Sequence, residues 1–175
     1  MNAKEYLQQH RDAHEASHKV RAGRDNATTS FDPMTCHSID DVKGQLNAAA
    51  RWYLYDMSVA TEIYERPAPI PLTIPDKDGC AKATPYIFDF LFNDHKNCIA
   101  VAEVILVKKL EELAKEDPTR WGKSKRGSWE SPPIEKQLRA QGLIHLLLTD
   151  EMIFQLCQSL QQHAEECRQH ENKKQ

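Results

Sequence analysis

The sequence predicts an all-α fold: a bundle of four to five helices with a proline-rich crossover and a basic, Trp-containing loop. Three observations predict it. Glycine is scarce, 6 in 175 residues, and β-branched runs are few. Ile39, Val42, Leu46, Ala49, Tyr53, Met57, Ala60 and Tyr64 form a stripe that advances in steps of three and four, which is the helical period. Finally, Cys98–Val107 is the most apolar run of the chain, broken by one charge at Glu103. On a helix it covers every face, so it should be surrounded by other helices.

Residues 1–22 read as a marginal N-terminal helix with a thin apolar side, Tyr6, Leu7, His10, His14 and Val20. So polar a helix must dock or stay mobile. Residues 23–37 read as a flexible linker, from Gly23, Asn26, Thr28, Thr29, Ser30 and Pro33. The bundle domain then spans 38–171, with a disordered tail at 172–175. Ser38 and Asp41 resemble a capping box for a helix that Arg66-Pro67 ends. In 67–75 proline stands at nearly every second position. That forbids a helix and favours an extended strip whose Ile70, Leu72 and Ile74 pack on the bundle.

Thr84 as N-cap and Pro85 at the first helical position open a long helix, Tyr86 to Glu116, stopped by Asp117-Pro118. A bend is expected near Asn93-Asp94. Residues 118–133 are a loop. A further helix follows from about Ile134 to Ala140, with Gly142 marking a C-terminal cap or a kink. Thr149, Asp150 and Glu151 look like a fresh N-terminus, with a hydroxyl at the cap and acids in the first turn.

Net charge is −3 with mixed signs, which excludes a broad polybasic surface but not a local basic patch. No signal peptide is recognisable, and no run approaches the ~18 apolar residues of a membrane span. The 5 cysteines include no Cys-x-x-Cys pair. Reduced thiols in a cytoplasmic protein, with no membrane partner, are therefore expected.

Three places could carry function. His10, His14 and His18 stand four residues apart with Glu15 beside them, which is metal-ligand spacing on one helix face. With Glu103 they make a candidate divalent-metal site, set against the plainer reading of polar helix residues. His163, Cys167 and His170 share a face as well, but Cys167 also continues an apolar stripe and one helix offers too few ligands for a closed site. Glu103 has apolar helical neighbours, so its charge needs a partner such as Arg51.

The third place is Arg120, Trp121, Lys123, Lys125, Arg126 and Trp129, with Gly122 and Gly127 between them. Cations neutralise phosphates, and Trp can stack on a base or anchor in a protein pocket. A solvated loop with both Trp folded inward is the plainer alternative. No nucleophile elbow or phosphate-binding loop motif is present, so no catalytic residues are nominated.

The function expected from sequence is a non-enzymatic accessory or adaptor protein. It would bind a larger protein partner through the basic loop, in a nucleic-acid machine such as those of bacteria or phages. A metal-binding bundle, either hydrolase or sensor, is one alternative. Direct nucleic-acid binding by loop 120–129 is another. A homodimer through the first helix is compatible with each.

Overall fold

The interior strand β6, Ile99–Ile105, is the run that sequence assigns to a buried helix. In the computed structural model the described residues are 1–13, 18–19, 46–51, 53–54, 59–75 and 80–155. They form a mixed α/β fold, which corrects the all-α helical bundle expected from sequence. A five-stranded sheet has the order β1-β2-β5-β6-β9. Its strands are β1 (His18–Lys19), β2 (Ala60–Glu65), β5 (Phe90–Asp94), β6 and β9 (Ile144–Thr149). Strands β1, β2, β5 and β6 pair antiparallel, and β9 joins β6 in parallel.

The error has a clear physical source. A strand covered on both faces is as uniformly apolar as a buried helix, and a short run cannot be told apart by period. In β6, Ile99 and Val101 enter one core, while Ala100, Ala102 and Val104 enter the other. That alternation is the strand period of two. Leu91 against Phe90 and Phe92, and Leu147 against Leu148, divide in the same way.

On the first face lie α1 (Ala3–Ala13), α3 (Val107–Glu116) and α4 (Pro132–Ala140), contributing Tyr6, Leu7, Leu110, Ile134 and Leu138. On the second lies α2, described over 46–51 and 53–54, with Leu46, Ala49, Ala50 and Leu54. Ile153, from a short helix α5 at 150–155, joins it there. Of the helix expected from Ser38 to Arg66, the described part is helical at α2 but extended from Ala60, while the Ser38/Asp41 capping box and the linker 23–37 lie outside the described residues. The expected helix 86–116 resolves into β5, β6 and α3. Thr84 and Pro85, expected to start it, lie within strand β4, Ala81–Tyr86. The bend expected at Asn93-Asp94 is the β5–β6 turn, where Asn97 adopts φ +58°.

Several local signals hold. Gly142 has φ +81° after α4, and Leu143 N–H returns to the Leu138 carbonyl at 2.9 Å, a helix-ending pattern that favours glycine. Thr149 Oγ1 accepts from Met152 N–H at 3.2 Å at the start of α5. Asp150, read as a first-turn acid of that helix, is its first residue, and its Oδ1 also accepts Val107 N–H at 2.8 Å at the start of α3. Helix α1 opens on a reciprocal cap absent from the sequence reading. Asn2 Oδ1 accepts Glu5 N–H at 2.9 Å, and Glu5 Oε2 accepts Asn2 N–H at 3.0 Å.

The proline strip is extended as expected, but as strand β3 (Ile70–Pro75) in a hairpin with β4. Ile70 and Leu72 are fully buried and Ile74 packs against the same core. Thr73 turns its backbone away from β4: Gln137 on α4 accepts its N–H and donates to its carbonyl, both at 2.7 Å. Pro71 and Pro75 share that outward parity and have no N–H to offer. The outer edge of β3 is thus closed by prolines and one glutamine, a common protection of sheet edges. Gln137→Ala should cost about 1 kcal/mol, as loss of a paired amide does. A urea titration against wild type measures it, and an unchanged midpoint would refute the clamp.

Upstream, Ala68 lies between two prolines, and both its N–H and its carbonyl are held by α1. His10 Nε2 accepts Ala68 N–H at 2.8 Å, and Tyr6 O–H donates to the Ala68 carbonyl. No helix among the described residues is long and apolar enough to cross a membrane.

Candidate functional site: the basic hairpin and the cluster at its base

Segment 117–131 begins as a tight turn. Asp117 receives Leu113 at the end of α3, donating its N–H to that carbonyl at 2.8 Å. Its Oδ1 accepts Thr119 Oγ1 at 2.7 Å and Arg120 N–H at 3.2 Å. A carboxylate bonding the backbone just ahead is what makes Asp a turn former. The turn drives Trp121 into the first core, where it is 4% exposed. The loop expected at 118–133 then holds a second hairpin, β7 (Gly122–Lys123) and β8 (Trp129–Glu130), with Lys123 opposite Trp129.

Its tip is closed by Ser124 N–H to the Ser128 carbonyl at 2.8 Å and by Gly127 N–H to the Ser124 carbonyl at 2.9 Å. Ser124 Oγ accepts Arg126 N–H at 3.2 Å. Gly127 has φ +81°, which a side chain would strain.

The six residues nominated from sequence divide in three. Trp121 is core. Arg120 is half-buried, its guanidinium carbon 5.7 Å from the Tyr86 ring centre and 5.5 Å from that of Trp121. Lys123, Lys125 and Arg126 are exposed. Trp129 is half-buried against the first core, with Lys123 Nζ 5.0 Å from its ring centre.

At the base of the hairpin lies a cluster that sequence reading touched only through Glu103. Tyr86 O–H donates to Glu103 Oε2 at 2.9 Å. His145 Nε2 stands 3.9 Å from the same oxygen. Phe88 packs edge-on to His145 and beside Tyr86. Burial pushes the Tyr86 phenol up, with the Glu103 charge and hydrogen bond adding to it and Arg120 opposing. The phenol stays a donor at every ordinary pH. Burial lowers His145 to about 4, outweighing the nearby carboxylate. Its side chain is 1% exposed, and neither ring nitrogen has a hydrogen-bond partner. Adjacent parallel strands bring Glu103 and His145 onto one face, a juxtaposition hidden while both runs were read as helix.

Arg51, expected beside Glu103, instead meets Glu65 at 3.1 Å near the surface. In the histidine row, His18 lies in strand β1 and not on the helix expected to carry it, while His14 and the side chain of His18 lie outside the described residues, as do His163, Cys167 and His170. His10 is 5% exposed. Because its Nε2 accepts from Ala68, its proton sits on Nδ1, which donates to the Tyr6 carbonyl at 2.8 Å. Both nitrogens are engaged, which removes His10 as a ligand in this arrangement. Among the described residues no group of three or more His, Cys, Asp or Glu is placed to hold a metal.

A groove of about 540 Å³ opens elsewhere, between the start of α1, the β5–β6 turn and the end of α4. None of the residues nominated from sequence lines it. No protein family and no curated protein matches this sequence.

Proposed function

We propose that the protein is a binding module that grips the phosphate backbone of a nucleic acid through the tip of the β7–β8 hairpin. One observation carries the reading. Once Arg120 and Trp121 are taken up at the base, Lys123, Lys125 and Arg126 remain exposed within four positions of a closed turn. Exposed cations on a fixed backbone suit phosphates. A protein partner anchored by two tryptophans fits less well, since Trp121 is buried in the core. A cytoplasmic location goes with this proposal.

Three phosphate contacts give log K a slope of about −2.7 against log salt, or about 40-fold weaker binding between about 50 and 200 mM. The test is fluorescence anisotropy of a labelled oligonucleotide with wild type and the K123E/K125E/R126E variant. The variant should lose nearly all binding and the salt slope, while its circular dichroism stays that of wild type. Equal binding by the variant would refute the proposal.

A further inference from the structure

The hairpin carries one ring in an unusual position. Trp121 is sealed in the core, but Trp129 is half-buried, held on its inner side by the first core and met by Lys123 across the hairpin. Packing fixes the ring, whereas the lysine beside it is exposed and mobile about four side-chain bonds. We propose that the ligand of this hairpin is single-stranded nucleic acid, one unpaired base stacking on Trp129 in place of the Lys123 ammonium.

The inference rests on the nucleic-acid reading above and narrows it. An exposed ammonium over a ring is held weakly, while a base stacked on an aromatic ring is held more strongly and without sequence preference. The exchange costs Lys123 little, because its ammonium regains a charge partner in the phosphate next to the stacked base. Lys125 and Arg126, set by the turn at Ser124 and Gly127, meet the following phosphates. A duplex keeps its base faces stacked on one another, so it offers Trp129 nothing and engages only the cations. The hairpin is thus built to prefer a single strand.

The experiment uses the full chain, a labelled oligothymidylate and a duplex of matched length. Wild type should bind the single strand more tightly, with quenching of tryptophan fluorescence. Trp129→Leu, which keeps an apolar group against the core, should weaken single-strand binding roughly tenfold or more. It should leave duplex binding close to wild type and so erase the preference. A thermal melt checks that the variant folds. If it does not, Trp129→Phe and the wild-type quenching decide: Phe should retain part of the preference, and absent quenching refutes stacking. If both ligands bind equally well, or if Trp129→Leu keeps the preference, the single-strand inference fails. Loss of binding in the triple charge variant would then still support the broader reading. If wild type binds neither ligand, both fail together.

Discussion

Unfolded in urea at a series of pH values, the protein should lose roughly 3 kcal/mol between pH 6.5 and pH 4 through one side chain, His145. The folded state holds this imidazole neutral down to about pH 4, because its side chain is buried and has no partner nitrogen or oxygen in hydrogen-bond reach. In the unfolded chain it takes up a proton from pH 6.5 downward. Protons therefore bind the unfolded state preferentially in that window. The stability is fully present above it and falls by about 1.4 kcal/mol per pH unit as pH drops through it.

His145→Leu removes the group and much of this slope. At pH 7 it should be at least as stable as wild type, because an unpaired buried polar group is replaced by an apolar one. Carboxylates elsewhere titrate equally in both proteins, so the difference between the two curves isolates His145. A parallel pair of curves would refute the assignment.

The second large effect is expected at the clamp on Ala68. His10→Ala removes a buried ring and strands the Ala68 N–H between two prolines, which should cost about 3 kcal/mol. Tyr6→Phe removes one hydroxyl and leaves the Ala68 carbonyl unpaired, at about 1–2 kcal/mol. The Tyr6 phenol is pushed up by burial, so it donates at any pH used for the comparison. In the double variant the two losses should fall short of their sum, since both act on one residue and the two rings touch. Strict additivity in urea melts would show that the two side chains act independently and would end the clamp account.

How much of this was legible in the sequence depends on the signal involved. The caps at Gly142 and Thr149 read correctly, because they act through their own backbone or hydroxyl, whereas Thr84, read as a cap, lies in strand β4. Ile70, Leu72 and Ile74 read correctly because alternation with proline leaves few conformations. What failed was period. Ala60 and Tyr64 continue the stripe of α2 by a step of four, yet belong to β2. Ile99–Ile105 has no polar side to report its twofold alternation, since both of its faces are covered. Tertiary burial set the structure there, and short-range pattern could not see it. The hairpin was legible as composition but not as geometry. Nothing local told which Trp would be core, and His145 acquired meaning only when β9 was laid beside β6.

The parallel pairing of β6 with β9 also sets an order of events in time. Strands β5 and β6 meet across a short turn, so their contact forms early and at little entropic cost. Strand β9 reaches β6 only after the chain has travelled through α3, the basic hairpin and α4. Its closure should therefore be slower than that of β5 on β6. Until it happens, Glu103 has no His145 beside it, and the cationic finger hangs from a half-built sheet. If the basic hairpin binds as proposed, that binding should appear in refolding with the closure of β9 and not with the β5–β6 hairpin.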